Sequence, residues 1–149
     1  MKLWGEREFT HPRGHNRAMT DGRSPSIRVT LMPKDTNAHG TIFGGVLLSH
    51  LDLAGAVAAR AHCDLMVTVK MTEVVFHAPV FVGDLVSFYT DVVRLGNTSV
   101  TVKVTVEAQR WRSTDDAVKV TEAEIVYVNV DEARRPTPIT RREIGKPRS

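Results

Sequence analysis

Between Thr36 and Ala59 only one side chain carries a formal charge, Asp52, in the company of two histidines. The part from Gly44 to Ala59 (GGVLLSHLDLAGAVAA) is apolar or small on nearly every side. A helix of that composition has no solvent face to offer, so burial all round is expected. Gly44, Gly45, Ala54, Gly55, Ala56, Ala58 and Ala59 also keep its surface thin, so that a sheet can close around it at short range.

The sequence downstream supplies such a sheet. Val100, Val102, Val104, Val106 and Ala108 alternate with Thr101, Lys103, Thr105, Glu107 and Gln109, the pattern of a long half-buried antiparallel strand. Val67, Val69 and Met71 begin another strand that runs to about Phe76. Pro79 and Gly83-Asp84 make a turn before a third, Leu85–Arg94. Gly96-Asn97 then forms a tight hairpin turn. After a turn at Ser113–Asp116, Val118–Val130 reads as the last strand. Its apolar parity slips around Glu122 to Glu124, which predicts a bulge there. Ahead of the helix, Ser26–Met32 is a short strand stopped by Pro33. The expectation is an α+β domain in which one long central helix is wrapped by a curved antiparallel sheet of about five strands, the hotdog arrangement.

Charge separates the body from its ends. Residues 1–26 carry five Lys/Arg against three acids, 131–149 carry six against three, and 27–130 carry nine against eleven. The net +3 of the chain therefore belongs to the tails. A nucleic-acid binder is expected to show a basic stripe on the folded body, so that class is set aside. Residues 1–25 read as a flexible leader without apolar periodicity, 26–130 as the folded domain, and 131–149 as a basic, Pro-containing tail. No apolar run is long enough for a membrane span, and the leader lacks the apolar core of a signal peptide. With Cys63 as the single cysteine, a reducing, cytoplasmic setting is expected.

A carboxylate in the middle of an apolar helix needs an explanation, because burying it unpaired costs several kcal/mol. Either neighbouring backbone or hydroxyl groups satisfy Asp52, or it is a base facing a cleft. Gly45, Ser49, Asp52 and Ala56 share one helix face. Gly45 stands at the helix start, where unpaired N–H groups attract an oxyanion. An oxyanion donor and a base on one face suit attack on a carbonyl. Ser49, His50 and Asp52 do not make a catalytic triad, since neighbours on one helix point about 100° apart. His62, Cys63 and Asp64 lack metal-ligand spacing, so no metal site is expected.

The stretch Met32–Ala56, with Asp35-Thr36-Asn37, Gly40, Phe43-Gly44-Gly45 and Asp52 in order, resembles the hotdog-fold acyl-CoA thioester hydrolases. Val82-Gly83-Asp84 and Gly96-Asn97-Thr98-Ser99-Val100 extend the resemblance, which covers about residues 26–130. It implies that Asp52 activates water or attacks the thioester, that Asn37 positions water or polarises the carbonyl, and that the Gly45 N–H stabilises the oxyanion. It further implies that Asn37 and Asp52 of one site come from different protomers of a dimer, with dimers able to assemble further into a trimer of dimers. Arg94, Gly96, Thr98 and Ser99 fall where relatives contact CoA. His39, Gly44, Ser49 and Thr68 are further substrate-binding candidates. No cofactor is expected, coenzyme A being part of the substrate. Two rivals share the fold: an acyl-thioester hydratase, which typically pairs a His with an acid, and a non-catalytic acyl-CoA-binding module.

Overall fold

The computed structural model describes residues 22–113 and 117–140. The chain runs through β1 (Ile27–Thr30), a 3₁₀ turn (Pro33–Asp35), α1 (Gly44–Ala59), β2 (Met66–Phe76), β3 (Leu85–Leu95), β4 (Ser99–Gln109) and β5 (Val118–Asn129). The strands form one antiparallel sheet in the order β1-β3-β4-β5-β2, and α1 lies against β3, β4 and β5. This is the arrangement that the helix composition and strand alternation predict. Most of the expected turn at Ser113–Asp116 lies outside the described residues, as do most of the leader and the end of the tail.

The core follows from the alternation. Val100, Val102, Val104, Val106 and Ala108 of β4 all face inward and are fully buried, as are Val86 and Phe88 of β3 and Ile125 of β5. They meet Leu47, Leu51, Ala54 and Ala59 of the helix. Each large apolar side chain so buried stabilises the fold by about 1.5–3 kcal/mol.

Burial of the helix is one-sided, contrary to the expectation that it is covered all round. Leu47, Leu51, Ala54, Gly55 and Ala59 form the buried stripe. Ser49, Leu53 and Val57 face outward, with Leu53 58% and Val57 49% exposed. A five-stranded sheet from one chain curls around one side of a helix only. The far side keeps its apolar residues with nothing from the described residues over them.

Bulges adjust the register. In β5 the slip leaves Val120 as the extra residue between the Thr121–Val106 and Lys119–Glu107 pairs, two residues before the place that the apolar parity suggests. In β2, shifts fall between Thr68 and Lys70 and between Thr72 and Val75, and Glu73 takes a positive φ of 53°. The Val82-Gly83-Asp84 turn is pinned from within. The buried Asp84 carboxylate accepts the Phe81 N–H at 3.0 Å and pairs with Arg110, which also donates to the Pro79 carbonyl at 2.9 Å. Gly83, at φ 87°, adopts a backbone conformation that disfavours other residues, with the Trp111 side chain against it.

Both ends of the described chain fold back on the sheet. Ser26 donates its N–H to Phe88, and Arg23 pairs with Asp91 at 2.9 Å while its guanidinium stands over the Tyr89 ring. After β5, residues 131–140 turn back and stay attached. Asn129, itself buried, donates its amide to Thr137 Oγ1 and the Pro138 carbonyl and accepts the Asp64 N–H. Ile139 donates its N–H to Asn97 and buries its side chain to 5% exposure. The first part of the basic tail is thus built into the domain. Ile139→Ala is expected to cost about 2–4 kcal/mol, as truncation of a buried isoleucine does. Chemical denaturation checks this, with a lower midpoint at unchanged slope as the expected result.

Candidate active site

The helix start and the middle of the helix are built differently. Phe43 ends the preceding loop, and its carbonyl accepts the N–H of Val46 at 3.0 Å. The N–H groups of Gly44 and Gly45 precede the first intrahelical bonds and have no hydrogen-bond partner among the described residues. A side chain at Gly45 would run into the Phe43 ring, and one at Gly44 would press on the Phe76 ring. The two glycines therefore let two exposed aromatic rings close in around free backbone donors. Beside them, Ile42, Leu47, Phe76, Pro79 and Val80 line most of a cavity of about 320 Å³.

The loop before the helix is ordered by its own bonds. Thr36 and Ile42 form a short bridge, and Asn37 exchanges backbone hydrogen bonds with Thr41 and Gly40. The Asn37 side chain faces the same loop: Oδ1 accepts the N–H of His39 at 2.9 Å and of Thr41 at 3.3 Å, and Nδ2 donates to Thr41 Oγ1 at 2.9 Å. Asn37 and Asp52 share no hydrogen bond within the chain. Asp52 lies eight residues into the helix, about 12 Å along its axis from Gly44.

Asp52 is half-buried, and two hydroxyls reach it from the sheet. Thr68 Oγ1 donates to Asp52 Oδ1 at 2.8 Å. The Tyr127 hydroxyl lies 2.7 Å from the Asp52 carbonyl and 3.2 Å from Oδ1. Oδ2 accepts no hydrogen bond among the described residues. Both readings of the helical carboxylate therefore leave a mark, since hydroxyls satisfy one oxygen and the other stays available.

The remaining candidates are dispersed. Ser49 donates to the Val46 carbonyl of its own helix, as His50 Nδ1 bonds that same oxygen at 2.9 Å, so neither turns toward Asp52. His39 is exposed in the Asn37 loop. Arg94 is exposed on β3, next to the bulged Val93. Gly96 closes the β3–β4 hairpin by donating to the Ser99 carbonyl, and the Thr98 carbonyl accepts the Asn129 N–H. His62 and Cys63 are buried at the end of the helix, where burial and the charge of Asp64 push the Cys63 thiol above its ordinary range.

Tyr127 is the residue at this site that sequence reading missed. Its inward parity is visible in the β5 alternation, and a buried phenol needs a partner for its proton. Which partner it takes depends on the packing of the helix across the sheet, which no local pattern encodes.

An antiparallel sheet wrapped on one thin helix defines a hotdog-fold protein. The model of the Thioesterase superfamily matches residues 39–112. An uncharacterized acyl-CoA thioester hydrolase of Zymomonas mobilis is 44% identical over 117 residues, 77% of this chain and 77% of its own. The acyl-CoA thioester hydrolase YciA of Salmonella typhimurium is 40% identical over 117 residues, 76% of this chain and 87% of its own. Among solved structures, a hexameric hotdog-fold thioesterase of Campylobacter jejuni aligns with a TM-score of 0.74 at 45% identity, over 83% of this chain and 93% of that one. A hexameric thioesterase of Yersinia pestis gives 0.74 at 35% identity, over 80% and 98%. The chain belongs to the hotdog-fold acyl-CoA thioester hydrolases of the Thioesterase superfamily. No helix among the described residues is long and apolar enough to cross a membrane.

The surroundings of Tyr127 make a prediction about alkaline stability. Burial, the charge of Asp52 and the hydrogen bond to it push the phenol above its ordinary value of 10. The neutral phenol thus contributes stability that is fully present below pH 10 and is lost as pH rises further, when the unfolded chain ionises and the folded one resists. Thermal unfolding followed from about pH 8 to 12 is expected to fall more steeply for the wild type than for Tyr127→Phe.

Proposed function

We propose that the chain hydrolyses acyl-CoA to a free acid and CoA, with Asp52 as the reacting carboxylate. The observations that carry this reading are the open Oδ2 of Asp52 and the free N–H of Gly45. Seven residues separate them, about 10.5 Å along the axis. The Asp52 side chain leans back toward the helix start, since Cβ atoms tilt that way. Because helix N–H groups point toward the N-terminus, the Gly45 donor faces away from this chain's own Asp52, and a carbonyl held by it is proposed to meet the Oδ2 of a second copy's Asp52, or the water that this Oδ2 activates. Either Oδ2 activates water or it attacks the thioester to give an anhydride that water opens; the thiolate of CoA leaves in both routes. Such an N–H donor contributes about 3–4 kcal/mol to stabilising the oxyanion. The reaction needs no cofactor, and the buried, protonated Cys63 suits a cytoplasmic setting.

Asn37 enters from a second copy of the chain in this reading. Its side chain is turned into its own loop, ahead of the helix that carries Asp52, and shares no hydrogen bond with Asp52 of the same chain. Nδ2 keeps one proton for a substrate carbonyl or a water at a partner's Asp52. Two surfaces favour pairing of copies. Among the described residues the outer edge of β2 has no strand beside it, and Leu53 and Val57 leave an apolar helix face uncovered. The similar thioesterases of Campylobacter jejuni and Yersinia pestis are hexameric, as three such dimers would be. Arg94, Gly96, Thr98 and Ser99 are proposed to meet the CoA moiety, and His39, Gly44, Ser49 and Thr68 to line the approach to the thioester.

Thiol release from acyl-CoAs of two to sixteen carbons tests the activity; an enoyl or hydroxyacyl thioester as product would indicate a hydratase instead. Asp52→Asn is expected to lower turnover by about a hundredfold or more. Asn37→Ala and Asp52→Ala homodimers are expected to be nearly inactive. Refolding them together pairs half the chains as mixed dimers with one intact site of two, so about a quarter of wild-type activity should return. Full subunit exchange, confirmed with a tag, without recovery would overturn the shared site.

A further inference from the structure

We infer that Tyr127 is a positioning residue for Asp52, and that Gly55 is a glycine so that the Tyr127 hydroxyl can reach it. The inference rests on the reading of Asp52 as the reacting group.

Thr68 and Tyr127 stand directly opposite each other in the β2–β5 register, and Tyr127 stands opposite Val100 in the β5–β4 register. One rung of the sheet thus brings two hydroxyls to one carboxylate. Thr68 donates to Oδ1 at 2.8 Å, and Tyr127 bonds the carbonyl of the same residue at 2.7 Å with Oδ1 at 3.2 Å. The phenol has one proton and shares it between main chain and side chain of Asp52. Burial and the Asp52 charge hold that proton on the phenol, so Tyr127 acts as a donor and moves no proton in the reaction. The register shift immediately after Thr68 ends the regular ladder beside this rung, as bulges near functional groups do.

Gly55 lies three residues after Asp52, on the same side of the helix. Both Gly55 and Tyr127 are buried. A Cβ built at Gly55 would overlap the Tyr127 hydroxyl, with ring carbons only 3.1 Å away. Glycine inside a helix costs about 1 kcal/mol relative to alanine. Close approach of the phenol is the feature of this helix that demands it. A half-buried carboxylate without these contacts turns about its side-chain torsions. With them, Oδ1 is tethered to the sheet and the orientation of Oδ2 is fixed with it.

The test measures kcat and KM for acyl-CoA hydrolysis in wild type, Tyr127→Phe, Gly55→Ala, their double variant and Asp52→Asn, with folded fraction taken from circular dichroism. Tyr127→Phe keeps the ring and removes the hydroxyl; Gly55→Ala keeps the hydroxyl and displaces it. Each is expected to lower kcat per folded site by about tenfold to a hundredfold, the scale of a small misplacement of a reacting group. KM is expected to stay within about twofold, because neither residue touches the substrate. The double variant is expected to be no slower than the slower single one, since both act through one hydroxyl. Full kcat in both single variants, or a double loss equal to the product of the two, overturns the inference. A purely structural role, which also overturns it, shows as lost folded protein with unchanged kcat per folded site. If Asp52→Asn keeps full turnover, the reading of Asp52 itself fails; if it is inactive while Tyr127→Phe is fully active, only the positioning role fails.

Discussion

The distance between helix and sheet is the constraint on which the rest of this structure depends. A helix bearing large side chains at every position of its inner stripe would stand off from the strands. Here Ala54, Gly55 and Ala59 share the stripe with Leu47 and Leu51, and the phenol of Tyr127 passes over Gly55 to the main chain of the helix. Close approach brings the valines of β4 into contact with the helix and removes them fully from water. The same approach sets the height at which Asp52 meets Thr68 and Tyr127. Packing of the core and placement of the carboxylate thus have one geometric origin, and a bulkier inner stripe would lose both.

Much of this was legible in the chain because much of it is local. Strict alternation in Val100–Gln109 reports a half-buried strand wherever it occurs, since side chains repeat every two residues. The small, uncharged run Gly44–Ala59 reports a helix close to a sheet, and a lone carboxylate within it marks a polar group needing partners. The helix start, with Gly44 and Gly45 after Phe43, was equally visible. What sequence order could not supply is pairing across distance. Tyr127 is 75 residues from Asp52, and their meeting depends on the β2–β5 register, itself shifted by bulges. The bulge at Val120 was displaced from its apparent place because Thr121, a polar residue, takes an inward position and donates to the Val75 carbonyl. Ile139 sits in a basic, Pro-rich segment that composition alone assigns to solvent, yet buried Asn129 binds that segment to the domain.

One-sided burial of α1 has the opposite lesson, because there composition was informative about a level of structure beyond the single chain. An apolar helix does expect cover on all sides, and its own sheet covers one. Leu53 and Val57 on the helix, together with the apolar and edge-exposed β2, are where the expectation exceeds what one chain provides. A long unpaired edge strand is normally shortened, charged or bulged to prevent association. Here β2 is 11 residues long and, although bulged at two places and carrying Lys70 and Glu73, leaves Val69, Val74, Val75 and Phe76 exposed along it.

The two incomplete features lie on the same elements. Asp52 is on the helix whose outer face is bare, and its hydroxyl partner Thr68 is on the strand whose edge is bare. Covering those surfaces with a second copy would bring that copy's loops toward the open Oδ2, at the point where one chain offers a carboxylate but no side-chain amide. Hydrophobic burial would then drive assembly, and the polar groups carried along by it would finish the site. On that reading a mutation that weakens pairing would act on catalysis through the same contacts as it acts on stability, because the surface that pairing covers would also be a wall of the site.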